Sequence, residues 1–308
     1  MSTIGNGVLS PTVPQFEMTE WVTKAITIVA IVIQVMEFFY QFIDEVEYIW
    51  RLRVRLITYL YAWSRYLALV IQVLNFILSE MLVYSPDQST CWRVYVLRSA
   101  TVQLSTTCLE AILMTRVYAL YNCSFRSRVI LAGAFTAGAM LEFTGSIIAV
   151  THIEPGPGGD WCSPEPSTPL ALSLFASGVG VIQITVLVMT ASQYFFTRKA
   201  GRIVRTPMVS LMLRDEISIF LLLSVVFGSV SIFEILRGYM TFSIEDGSLV
   251  WNASYAWYIS LTSIAGCRMI LTLRRLAYQH LKSRLPDNYT GMSYLAEFST
   301  GLYSDDEE

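Results

Sequence analysis

The sequence predicts an all-α integral membrane protein: a bundle of seven transmembrane helices, N-terminus outside and C-terminus in the cytoplasm. Three observations carry that expectation. Hydrophobic residues make up 54% of the 308 and charged residues only 15%, against roughly 25% charged in soluble globular domains. Mean hydropathy is +0.51. The apolar residues also gather into runs near the ~20 residues that cross a bilayer as a helix. Membrane β-strands would be about half as long and would alternate polar with apolar, which these runs do not.

The expected spans are Trp21 to Ile43, Leu56 to Leu78, Val94 to Tyr121, Val129 to Val150, Leu170 to Phe196, Ile217 to Met240 and Leu249 to Leu273. The first follows twenty residues without Lys or Arg. It is also too long for a signal core, so it reads as a retained signal anchor behind a short external tail, residues 1–20. Between spans, Lys and Arg concentrate in alternate segments: Arg51, Arg53 and Arg55; Arg116, Arg126 and Arg128; Arg198 to Arg214; and Arg274 to Arg284. The positive-inside rule makes these segments cytoplasmic. No repeat or linker divides the membrane domain, residues 21–285. Past the last span, Leu276, Leu281 and Leu285 recur among Arg275, His280, Lys282 and Arg284, the pattern of an amphipathic helix (274–285) on an anionic leaflet. Pro286 ends it, and residues 286–308 close in an acidic tail with the composition of a disordered segment.

Cys91 and Cys162 both fall on the predicted external side, where disulfides form. A Cys91–Cys162 bridge is the natural pairing, two unpaired thiols the alternative. Of the sequons at Asn122, Asn252 and Asn288, only Asn252 would face outward.

Ionisable residues near the bilayer centre cost about 2.5 to 3.5 kcal/mol each on insertion scales, so each needs a partner or a watery cavity. Counted from span midpoints, Arg65 and Glu110 both lie roughly 3 to 4 Å to the cytoplasmic side and are expected to form a buried ion pair. Glu37 and Arg268 are expected deeper on that side as further buried polar residues. Glu142, Glu234 and Arg237 fall in the outer half and, with Trp257, are the candidate ligand pocket. Trp63 is the other tryptophan inside a span; the remainder, near span ends, read as an interfacial belt. The same charges also read as devices that specify which helices meet. Gly133, Gly138, Gly145, Gly178, Gly180 and Gly228 would permit close helix approach.

Much chemistry is excluded. With 21 basic against 24 acidic residues there is no basic surplus for nucleic acid. Lys24, Lys199 and Lys282 are the only lysines, and none lies in the seventh span to hold a retinal Schiff base. His152 and His280 fall on opposite sides of the membrane, leaving no metal set. There is no CxxC, P-loop or GxSxG sequence, and no cofactor or enzymatic activity is expected. Inverted repeats and midspan prolines, common in transporters, are missing.

The stretch Asp44-Glu45-Val46-Glu47-Tyr48-Ile49-Trp50, followed by Ser64-Arg65-Tyr66, resembles the signature of a fungal, mainly basidiomycete, family of multi-span membrane proteins classed as domain of unknown function 6533. Arg116-Val117-Tyr118-Ala119-Leu120-Tyr121 and Leu213-Arg214-Asp215 look like further patterns of such chains, with Glu216 where Gly often follows. That resemblance implies a fungal integral membrane protein and no particular activity. In layout the chain also resembles G-protein-coupled receptors, and Thr115-Arg116-Val117-Tyr118 is similar to a loose form of their acidic-Arg-Tyr motif, with Thr115 in place of the acid.

The expected function is a receptor-like sensor at the plasma membrane or in the secretory pathway. Its unidentified small-molecule or peptide ligand would enter from outside, and Arg116, Arg202 and Arg205 would meet a cytoplasmic signalling protein. The alternatives are a solute or ion permease or channel, with Glu37, Arg65, Glu110 and Arg268 lining a path, and a membrane organiser without ligand.

Overall fold

The computed structural model describes residues 13–50, 56–84, 88–121, 124–152, 169–199 and 244–282, with 214, 217–219, 221–226, 228, 229 and 232 between the last two blocks. Among these residues all regular structure is helical. Helix α1 (Val13–Glu45) runs on through a π-helical turn, Val46–Trp50. A second unbroken rod joins α2 (Leu56–Ala62), a π turn at Trp63–Leu67 and α3 (Ala68–Tyr84). Then follow α4 (Gln88–Leu120), α5 (Phe125–Thr151) and α6 (Pro169–Lys199). A shorter apolar helix, α7, spans Ile217–Val226, and α8 (Ile244–Lys282) is the longest. Ser124 caps α5 by accepting from the Ser127 N–H at 3.4 Å, and Pro169 occupies the first position of α6, where its missing N–H costs nothing.

Among the described residues, five segments are long and apolar enough to cross a membrane: Lys24–Trp50, Ile57–Leu78, Phe125–Thr151, Leu170–Phe196 and Asn252–Arg275. Helix α4 has 33 residues, about 50 Å at 1.5 Å per residue, but its Ser, Thr, Gln, Arg and Glu residues dilute its hydropathy. Most of those polar residues are turned at least partly inward. On α4, Thr101, Gln103, Thr106, Glu110 and Arg116 are buried; on the α2/α3 rod, Thr58, Arg65 and Gln72 are buried at seven-residue spacing. On α1, Thr27, Gln34 and Gln41 are buried while Val29, Val32, Met36, Phe39 and Ile43 are exposed. Apolar outside and polar inside is the reverse of a water-soluble bundle. It is the arrangement lipid selects, because the polar groups find partners only on neighbouring helices.

Those partners fix the directions of the helices. Gln34 donates to Ser263 at 3.2 Å and Ser260 to the Ala30 carbonyl at 3.2 Å, so α1 and α8 run parallel. Gln72 reaches the Ala256 carbonyl and Ser260, both at 2.7 Å, while Arg274 reaches Thr58, so the α2/α3 rod runs antiparallel to α8. Arg98 to Asn252 (2.6 Å), Thr101 with Tyr255 (2.8 Å) and Arg116 to the Met269 carbonyl (2.8 Å) form rungs of a parallel α4/α8 pair.

Helices α5 and α6 cross most tightly. A Cβ added to Gly178 would stand 2.7 Å from the Gly138 carbonyl oxygen and 2.7 Å from Glu142 Cγ, and one on Gly145 would stand 2.7 Å from the Ala171 carbonyl. Gly138 and Gly145 are seven residues apart, as are Ala171 and Gly178, so small residues face small residues at two levels of an antiparallel crossing. Of the six glycines expected to permit close approach, these three do so, whereas Gly133, Gly180 and Gly228 face open space. Gly266, against Ser64 Oγ, is a further one.

Two boundaries differ from expectation. Helix α1 begins before Trp21 and carries helical structure to Trp50. Residues 274–282 continue α8 rather than starting a separate surface helix, since no Gly or Pro interrupts them.

Candidate functional site

The two π turns position a closed ionic cluster. Arg65 lies within the Trp63–Leu67 turn and Glu45 immediately before the Val46–Trp50 turn. A π turn carries an extra residue and so re-aims the side chains around it. Arg65 Nη2 stands 3.1 Å from Glu45 Oε2, both side chains buried. Glu45 Oε1 also accepts from Trp50 Nε1 at 2.9 Å and from the Tyr66 hydroxyl at 2.6 Å. The Arg65 guanidinium donates to the Tyr61 hydroxyl and the Phe38 carbonyl and stands 4.5 Å from the Phe38 ring centroid. The cluster thus joins the Asp44–Trp50 stretch to Ser64-Arg65-Tyr66. Its charges face each other and most of its donors and acceptors are paired within it, which suits a structural fastening.

The expected Arg65–Glu110 pair is therefore not formed. Glu110 lies on the other side of α4, within hydrogen-bonding reach of the Glu142 carboxyl on α5. Counting residues from span midpoints gives depth but not which face of a helix a side chain occupies, and Glu45 escapes such a count because helix continues past Ile43. Glu142 Oε2 accepts from Gln103 Nε2 at 2.8 Å, and Gln103 Oε1 accepts from Ser146 Oγ at 2.9 Å. Glu110 and Glu142 are almost wholly buried. Among the described residues no donor reaches either Glu110 oxygen. Two carboxyls facing each other in a low-dielectric interior disfavour ionisation of both, a conflict that one shared proton would relieve. We predict that Glu110→Gln, which keeps a donor toward Glu142, changes stability by less than about 1 kcal/mol, whereas Glu110→Ala costs about 2 kcal/mol or more, as read from unfolding midpoints.

Next to Ser146 opens a cavity of about 150 Å³ between α4, α5, α6, α7 and α8, at the end of the bundle that carries Cys91. Phe175, Tyr255 and Tyr258 supply aromatic walls, and Val102, Ala149 and Val226 aliphatic ones. Ser99, Ser146 and Ser254 contribute hydroxyls, and Arg98 closes one side. Arg98 donates to Asn75 at 2.7 Å and to Asn252 at 2.6 Å and stands 5.7 Å from the Tyr255 ring centroid. The chain Ser146–Gln103–Glu142 therefore leads from the cavity wall to the carboxyl pair. Tyr258 spans the same distance, lining the cavity while its hydroxyl meets Thr106 at 2.5 Å.

The other expected site residues divide as follows. Glu37 and Arg268 do meet, at 2.6 and 2.9 Å, but the Arg268 side chain is 61% exposed. The pair is therefore on the bundle exterior and not a buried polar layer; with Asp44–Arg275 at 2.6 Å it staples α1 to α8 at seven-residue spacing. Of the expected pocket, Glu142 lies behind the cavity wall, bonded through Gln103 to Ser146. Trp257 is not among the lining residues, because the face of α8 turned to the cavity holds Ser254, Tyr255 and Tyr258. Glu234 and Arg237 lie outside the described residues. Arg116 is buried against the Met269 carbonyl, so it is not a surface for a cytoplasmic partner. Arg202 and Arg205 are outside the described residues. Cys91 is disulfide-bonded; Cys162 is outside the described residues. Gln103, Ser146, Arg98 and Glu45 were not singled out from sequence, although Ser99, Gln103, Thr106 and Glu110 recur at four, three and four residues on α4, a polar stripe readable in retrospect.

Comparison with family models, curated proteins and solved structures finds no match to this chain. The functional reading rests on the chemistry of the site.

Proposed function

We propose that the chain is a receptor-like membrane sensor with seven crossings. Its ligand enters the 150 Å³ cavity from the external side, and the occupied cavity is read by the carboxyl pair beneath it. The observation that carries this is the hydrogen-bonded chain from Ser146 on the cavity wall through Gln103 to Glu142. Parity supports seven crossings. Helices α4 and α8 run parallel, and Tyr121 bonding to the Met189 carbonyl, with Val102 and Phe175 sharing the cavity wall, makes α6 parallel to α4. A return crossing between α6 and α8 would satisfy this parity, and α7 is an apolar helix in that stretch. Orientation follows the positive-inside rule, and bonding of Cys91 suits an oxidising exterior.

A thermal-stability screen of the purified protein against lipids, peptides, small solutes and ions tests the reading, because a ligand that prefers the folded state raises stability by RT ln(1 + [L]/Kd). We expect a stabilising compound whose effect disappears in Ala149→Phe, which fills the cavity, while Glu110→Gln leaves its binding intact. Compounds that act equally on wild type and Ala149→Phe would contradict a ligand site here.

A proton-coupled permease is the second reading, favoured by the two buried carboxyls of Glu110 and Glu142 facing each other. Moving the stabilising compound into liposomes would select it; saturable binding without flux selects the sensor. The basic segment from Arg198 to Arg214 remains the surface proposed for a cytoplasmic partner. Charge reversal at Arg202 and Arg205 should abolish pull-down of that partner with topology retained.

A further inference from the structure

The size, lining and polar wall of the cavity point to a ligand class. We propose that it takes a small, uncharged, mostly apolar molecule of about benzene size carrying one hydroxyl, an aromatic or branched alcohol, with that hydroxyl donating to Ser146 Oγ. The inference rests on the reading above that this cavity is the ligand site. Its volume of about 150 Å³ matches that of apolar protein cavities that stay dry and bind benzene. The wall offers too few polar groups to pair the hydroxyls of a sugar. Aromatic and aliphatic carbon forms most of the wall, which favours a ring or a branched chain.

The hydroxyl follows from donor and acceptor accounting. Ser146 spends its one O–H on Gln103 Oε1. Its remaining capacity is as an acceptor, so the group that completes it is a donor on the ligand. The direction is then uniform: ligand O–H to Ser146, Ser146 O–H to Gln103, Gln103 N–H to Glu142. In such a chain each bond polarises the next. Arg98 is already engaged, its Nε–H with Asn75 and one Nη1–H with Asn252. A carboxylate held side-on through Nε and Nη2 would break the bond to Asn75.

The test uses the full-length protein in lipid nanodiscs, with benzyl alcohol, toluene, benzoate and a series of linear alcohols from hexanol to dodecanol as probes. The readout is the shift of the unfolding midpoint in wild type minus that in Ala149→Phe, which cancels the effect of each probe on the bilayer. We expect a positive difference for benzyl alcohol, a smaller one for toluene and none for benzoate. Ser146→Ala removes one oxygen and leaves the fold in place. It should weaken benzyl alcohol about threefold to tenfold, the worth of one hydrogen bond, and leave toluene unchanged. Preference for benzoate would overturn the proposed class, as would a difference that grows with chain length to dodecanol, the mark of a lipid acyl chain. Failure of all these probes, where the broader screen yields a compound sensitive to Ala149→Phe, would overturn the ligand class and leave the sensor reading standing. Failure of every compound in both experiments would overturn both.

Discussion

Arg65→Met is expected to destabilise the protein by about 3 to 5 kcal/mol, the cost of leaving a buried charge without its partner. The stranded group is Glu45, wholly buried and 3.1 Å from Arg65 Nη2. Glu45→Gln should cost less, since Trp50 and Tyr66 still donate to the amide oxygen. The double variant Arg65→Met with Glu45→Gln should recover part of the loss of Arg65→Met alone, because no charge is then stranded. The pairing is decided by a double-mutant cycle on reversible unfolding in mild detergent. Coupling between Arg65 and Glu45 with none between Arg65 and Glu110 is the expected pattern, and the reverse pattern would restore Glu110 as the partner.

Gly178→Ala is expected to have the next largest effect. Overpacking costs typically 1 to 3 kcal/mol, and this site should reach about 3 kcal/mol, because the added methyl meets the backbone carbonyl of Gly138 at 2.7 Å as well as the flexible Glu142 chain. Helices α5 and α6 must then part, carrying Glu142 away from Glu110 and enlarging the cavity beside Gly145. Gly180→Ala, two residues on with nothing within 4 Å, is the control and should be neutral or slightly stabilising. Equal losses at both positions would mean that helix propensity, not the crossing, sets the effect.

These two sites mark how far the sequence could be read. Helical class and membrane-length apolar runs were legible because bilayer thickness imposes a length that composition reports directly. That α5 and α6 carry small residues was legible too; that Gly138, Gly145 and Gly178 meet while Gly133 and Gly180 do not depends on which face of each helix turns inward. The buried charges failed for the same reason. Depth along a helix is countable, but azimuth depends on packing, and π turns at Val46–Trp50 and Trp63–Leu67 shift it further. Arg65 was thus assigned to Glu110 at matching depth when its partner was Glu45. By the same count Glu110 and Glu142 fall at different depths, although their carboxyls face each other between α4 and α5. Trp257 stands out in sequence as a tryptophan within a span, while a cavity is defined by what several helices leave unfilled, here Tyr255 and Tyr258 on its walls. Ser146 and Gln103, the link between cavity and carboxyls, are ordinary residues whose meaning appears only when α4 and α5 are set side by side.

The central claim is that occupancy of the cavity is felt at the Glu110–Glu142 carboxyl pair. An infrared difference spectrum of the carbonyl-stretch region, recorded as a cavity ligand such as benzyl alcohol is added, reads it directly. The account predicts a ligand-induced shift of a protonated-carboxyl band that is lost in Glu110→Gln and absent in Ala149→Phe. A ligand that binds the cavity and leaves that band unmoved would contradict it.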